Sequence, residues 1–304
     1  MPPAPTSRKN LILRFASTFA VLALVYLSLR WDLESGGGWY WTILIILVSV
    51  LCLREFYRLA SASGVQTFAW LGLAAGPLWL LALEWDLSRP GGLGNRPALA
   101  SLVLVIFLLA SMILQLVRRD NQHALASVGV TVLGFLYCSF LPGFIIRQRH
   151  LALPGGNWLV QGMEFVVVCI FVTKVSDVGA LLAGRRWGRH KLIPRLSPGK
   201  TWEGAVGGVV SSVLLLQFMA WTDPGLALNA LGRGNLVLLS LLLALAALAG
   251  DLVESCFKRN SRMKDAGSGV PGFGGILDLA DSLIVAAPLM YLFLLAYGAS
   301  EVIP

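Results

Sequence analysis

Charge is what this chain has least of. Charged residues make up 13% of its 304 positions and hydrophobic residues 57%, whereas soluble domains carry about 25% charged and roughly 45–50% apolar residues. A soluble globular protein is excluded by that balance. Cysteine and histidine are also sparse. The four cysteines, Cys52, Cys138, Cys169 and Cys256, lie in or at the ends of apolar runs without Cys-x-x-Cys spacing, and the three histidines are scattered. Neither a disulfide framework nor a zinc site is expected from them. Internal repeats with periods of about 20 to 50 residues are missing, as is any low-complexity segment beyond the proline-rich first residues. The net charge of +8 has no soluble domain on which to form a basic face, so nucleic acid is not expected as a partner.

Long apolar runs are what the chain has in abundance. A spanning helix needs about 20 mostly apolar residues, and such runs fall near 11–30, 39–57, 68–85, 98–117, 125–146, 158–183, 202–222, 235–256 and 280–299. The expected fold is all-α, a polytopic membrane bundle of about nine transmembrane helices. Arg8 and Lys9 before the first run have the look of a secretory signal, but the run is long and no small-x-small cleavage site follows it, so it is read as a retained helix. With the N-terminus inside, 17 of the 24 Lys and Arg fall on the cytoplasmic side, six fall opposite, and Lys174 stays within a span. This positive-inside bias points to a bacterial-type inner or plasma membrane, with the polar loops 184–201 and 257–279 facing the cytoplasm.

Polar residues are unevenly distributed along the chain. Residues 1–150 carry few charges within their spans and read as membrane scaffold; residues 151–304 carry Glu164, Lys174, Asp177, Glu203, Asp251, Glu254 and Asp281 in or beside spans, and read as the catalytic part. Two constellations stand out there. In the first, Ser176-Asp177, Gly184-Arg-Arg-Trp-Gly-Arg-His-Lys191 and Leu196-Ser-Pro-Gly-Lys-Thr-Trp-Glu-Gly204 lead into a span. Ser197, Lys200 and Thr201, with Glu203 and Asp177 nearby, suit an anion at a helix N-terminus. The spacing of a P-loop is not met, since Pro194 stands five before Gly199. The plainer reading is a basic cytoplasmic loop with an ordinary N-cap, and a Lys174–Asp177 pair that merely neutralises itself.

The second constellation runs from Gly250 to Ser282. Asp251 and Asp278, each at the edge of an apolar run, suit a hard divalent cation, and Lys258, Arg259, Arg262 and Lys264 between them suit phosphate oxygens. Asp265 and Glu254 are placed to partner the basic residues, and Asp281 either joins the metal shell or points into the last span. Glycines 267, 269, 272, 274 and 275 allow the backbone to approach a ligand closely. Together these read as a metal-assisted phosphoryl or nucleotidyl site at a bilayer surface.

Ser255-x-x-Lys-Arg259, Lys264-Asp265, Pro271-Gly and Gly274-Gly-x-x-Asp278-x-x-Asp281 resemble the signature of phosphatidate cytidylyltransferases, and the 184–204 stretch is similar to the same family. The resemblance covers about residues 170–290. It implies an integral membrane enzyme that joins CTP and phosphatidic acid into CDP-diacylglycerol and pyrophosphate. The implied cofactor is magnesium, alone or with a monovalent cation such as K+; Asp251 and Asp278 match the metal-holding aspartates, and a homodimer is in keeping with the family. Two positions depart from it: Phe273 stands where many members have His, and Leu279 where they have Arg after the aspartate. The nucleophile, an ionised phosphate oxygen, needs no histidine as base, so positioning and charge neutralisation carry the reaction. The loss of the arginine bears on pyrophosphate binding and substrate choice, and the two departures together leave room for an inactive paralogue. The alternatives are a CTP-dependent polyprenol or phytol kinase, which releases CDP, and, from a different class, an ion-coupled transporter, which places its acidic residues near the bilayer midplane.

Overall fold

The computed structural model describes residues 39–89, 98–118, 123–261 and 275–301, together with Leu27, Arg30 and Trp31. Eight helices account for most of them: α1 (Trp39–Ala62), α2 (Ala69–Leu87), α3 (Leu99–Val117), α4 (Ala124–Arg149), α5 (Trp158–Trp187), α6 (Trp202–Thr222), α7 (Arg233–Asn260) and α8 (Ile276–Ala296). Six of them, α3 to α8, are long and apolar enough to cross a bilayer. The nine expected spans are therefore not all matched. Most of the run at 11–30 lies outside the described residues, and α1 and α2 are helical but are not among the six. Large apolar side chains stand outward, among them Leu109 and Ile113 on α3 and Val206, Val210 and Leu214 on α6. Such a surface is covered by lipid, and the chain is an integral membrane protein.

The structure is mostly, not purely, helical. The expected loop at 184–201 begins as the last turn of α5 and continues as an antiparallel hairpin, β2 (Lys191–Ile193) against β3 (Ser197–Thr201), while β1 (Leu151–Ala152) pairs with β4 (Ser300–Glu301). Pro194 has no N–H to give a helix, and the Leu196 N–H closes the turn on the Ile193 carbonyl at 3.2 Å. Within α4, residues 136–140 form one wide π turn just before Pro142, which cannot donate to the carbonyl four residues back.

Helix ends fall differently from the apolar runs. α7 continues to Asn260, so Lys258 and Arg259, expected in a loop, are helical; α8 starts at Ile276, so Asp278 and Asp281 lie in its first turns. Backbone N–H groups at such a start have no partner within the helix. For α8 the partner comes from far away in sequence: the buried Glu55 of α1 accepts from Ile276 N at 3.1 Å and from Leu277 N at 2.8 Å. Asp86 serves α3 in the same way, accepting from Leu99 N and Ala100 N. At the other end of α1, Glu84 of α2 accepts from Thr42 and Ser88 and lies beside Arg149 and His150.

Close helix crossings are set by glycine. A Cβ at Gly250 would collide with the Asp281 carbonyl, which lets α7 and α8 meet there; Gly179 and Gly207 do the same for α5 and α6, against Ser211 and Ala183. Glu55→Ala should therefore lower stability by about 1–3 kcal/mol, the cost of orphaned buried donors, seen as a lower thermal midpoint in detergent. Gly250→Val should separate α7 from α8, with a similar loss of about 1–3 kcal/mol from overpacking. A variant at Gly250 with wild-type thermal stability would contradict the contact.

Candidate active site

The carboxylates come together because of helical spacing. Asp251, Glu254 and Lys258 stand three and four residues apart on α7 and so share one face; Asp278 and Asp281 do so on α8. Where the two faces meet at Gly250, one oxygen each from Asp251, Glu254 and Asp281 fall within 4.8 Å of one another. Glu254 and Asp281 are buried, 2% and 4% exposed. Glu254 and Asp278 share the Lys258 ammonium.

Three ammonium groups from three different elements balance these acids. Lys258 Nζ lies 2.9 Å from Glu254 Oε1 and 2.8 Å from Asp278 Oδ1. Those two oxygens are buried without an aligned hydrogen bond, so distance is satisfied and direction is not. Lys200, on β3, reaches Asp251 Oδ2 at 2.8 Å and the Leu248 carbonyl at 3.2 Å. Lys174 of α5 donates to the Leu279 carbonyl, to Ser282 Oγ and to Asp177 Oδ2, and Ser282 donates to Asp177 at 3.0 Å.

A divalent cation fits this donor set. Five carboxylates (Asp177, Asp251, Glu254, Asp278, Asp281) and three ammoniums share the network, which leaves two negative charges when all are ionised. Three carboxylate oxygens within 4.8 Å of one another, beside buried oxygens lacking aligned donors, suit a hard cation.

Beside the cluster lies a cavity of about 490 Å³ between α5, α6, α7 and β3. Its lining combines polar side chains, Asp177, Arg185, Ser197, Lys200, Thr201 and Asp251, with apolar ones, Leu181, Val209, Leu245 and Leu248. Leu181 and Leu245 are about half exposed on the lipid-covered surface. Both motif regions thus border one space, 51 residues apart at Lys200 and Asp251.

The remaining expected residues fall at the edges. Thr201 is the N-cap of α6, its hydroxyl accepting from Gly204 N at 3.1 Å. Glu203 turns away to His190, 2.6 Å from its Nδ1. Arg259 donates to the Leu196 carbonyl at 3.2 Å and ties α7 to the hairpin tip. Lys264, Asp265, Arg262 and Phe273 lie outside the described residues. Glu254, expected only as a partner of basic side chains, stands in the carboxylate cluster. Glu55, behind the whole arrangement, went unnoticed in the sequence; its one signal is an acid inside the apolar stretch 48–60.

The pattern of the cytidylyltransferase family matches residues 12–297. A phosphatidate cytidylyltransferase of Synechocystis sp. is 29% identical over 299 residues, covering 90% of this chain and 94% of that protein. Proteins of the same name from Staphylococcus haemolyticus and Bacillus subtilis are 32% and 29% identical, covering 85% and 84% of this chain and 91% and 88% of their own lengths. With both motif regions meeting in one site and the family pattern running almost end to end, this chain belongs to the cytidylyltransferase family.

Proposed function

We propose that this protein is a phosphatidate cytidylyltransferase, joining CTP and phosphatidic acid into CDP-diacylglycerol and pyrophosphate for phospholipid synthesis. The observation that carries the reading is the contact of Lys200 with Asp251 at 2.8 Å. A lysine suited to a phosphate thus stands against the carboxylate cluster, in the wall of a cavity lined by both polar and apolar side chains.

That cavity suits the lipid. Among the described residues its lining offers ammonium, guanidinium and hydroxyl groups for a phosphate and hydrocarbon for acyl chains, but no aromatic ring and no amide side chain with which to recognise a base. The half-exposed Leu181 and Leu245 give the chains a lateral way in from the bilayer. Lys200, Ser197 and Arg185 hold the lipid phosphate and turn one oxygen towards the α-phosphorus of CTP. The bond from that oxygen to phosphorus forms as the α–β anhydride bond breaks. No proton has to be removed, since a phosphomonoester with a second pKa near about 6 is ionised at neutral pH.

Asp251 and Asp278, with Glu254 and Asp281 beside them, would hold magnesium, which supplies charge neutralisation and Lewis acidity at the phosphates. Lys258 and Arg259, with Lys264 in the following segment, stabilise the charge that spreads onto pyrophosphate. The site faces the cytoplasm in this reading, where CTP is available.

Purified protein with magnesium, phosphatidic acid and CTP labelled in its α-phosphate should give labelled CDP-diacylglycerol and equimolar pyrophosphate. Release of CDP with a phosphorylated lipid alcohol would instead establish a kinase. Asp278→Asn should lower turnover by roughly 10²-fold or more, the scale of losing one electrostatic contact to the transition state, with unchanged gel-filtration behaviour; full activity in that variant removes Asp278 from the mechanism.

A further inference from the structure

Lys174 sits in the middle of α5, a membrane helix, where an ammonium is costly unless its charge is matched. Asp177, one turn on, would be enough for that at the observed 3.4 Å. Yet the ammonium reaches beyond it to α8, with shorter contacts of 2.8 Å to the Leu279 carbonyl and 2.9 Å to Ser282 Oγ. Its shell is one carbonyl, one hydroxyl and one carboxylate oxygen. Hard cations take oxygen sets of this kind from proteins, and here the cation is tethered by a lysine stem. The shell also borders the reacting region. Ser282 N donates to Asp281 Oδ1, Asp281 stands within 4.8 Å of Asp251 and Glu254, and the charge of Lys174 acts on Asp281. Asp177, its other ligand, lines the cavity.

We infer that Lys174 is a built-in monovalent cation: its ammonium takes the oxygen shell that an alkali ion would occupy between α5 and α8, fixes the first turns of α8, and makes the reaction independent of added potassium. Lys174 is thereby a positioning residue, acting through Asp177, Ser282 and Asp281. The inference rests on the proposed cytidylyl transfer and deepens it, replacing the expected free K+ with a side chain of this protein.

The shell is open enough to test by chemical rescue, since the Lys174 and Asp177 side chains are 34% and 40% exposed. Wild-type turnover is measured with choline as the only monovalent cation and again with potassium; the two rates should agree within about twofold. Lys174→Ala should lose about 10²-fold in kcat, the scale of one electrostatic contact, with little change in the KM for CTP. Potassium, ammonium or ethylammonium should restore it saturably, which repair of a merely structural pair would not do. Lys174→Arg, which keeps the charge, covers the case in which the alanine variant does not fold; it should retain partial activity without potassium stimulation. Wild-type turnover that requires potassium overturns the inference, as does a folded Lys174→Ala that is fully active or that no cation restores, or a Lys174→Arg that potassium stimulates. A wild-type protein that forms no CDP-diacylglycerol under either cation refutes the proposed reaction instead.

Discussion

Everything in the catalytic half depends on the approach of α7 to α8 at Gly250. Without a side chain at that position the Asp281 carbonyl packs directly on α7, and the acids of the two helices face one another. Bringing carboxylates together in a poorly solvated place is unfavourable until cations join them. The cations arrive from separate parts of the chain: Lys174 from α5, Lys200 from the hairpin and Lys258 from α7 itself. Electrostatic balance thus does structural work as well as chemical work. It ties the hairpin and α5 to the crossing that glycine permits.

The same logic reaches into the first helix. In a bilayer every backbone donor must find an acceptor within the protein, and α8 begins inside the bundle, where its first N–H groups have none of their own. Glu55 supplies both acceptor oxygens from 221 residues away. Glu55 thereby caps the turn that carries Asp278. α1 is in this sense scaffold, but scaffold that fixes where the catalytic turn of α8 starts.

Much of the arrangement was legible in the sequence, for a physical reason. Apolar runs of about 20 residues have few alternatives to helix in a membrane, so all eight described helices overlap expected spans, and the motif spacing already points to Asp251, Asp278, Lys200 and Lys258. Helix ends were less legible. Lys258 and Arg259 look like loop because they are charged, yet the spacing of Lys258 from Asp251 and Glu254 places it on their helical face, and that face is what matters. The hairpin was hidden because Pro194, Pro198 and Gly199 signal irregular backbone without saying that Lys191 will pair with Thr201. Glu55 could not be read at all: its partners are backbone groups, and backbone groups leave no mark in a sequence.

The departure at Phe273 finds its explanation in the chemistry. Among the described residues no histidine stands near the carboxylate cluster: His150 is buried beside Glu84, and His190 is taken up by Glu203 on the hairpin. A reaction whose nucleophile had to lose a proton would be poorly served by such a site. A phosphate oxygen that is already ionised asks for something else, namely that two anions be brought together against their mutual repulsion. Three ammoniums and a donor set fit for a divalent cation, beside a cavity whose lining Leu181 and Leu245 are half exposed, answer that requirement. The balance of lysines against carboxylates, more than any single acid or base, is therefore the feature on which the chemistry rests.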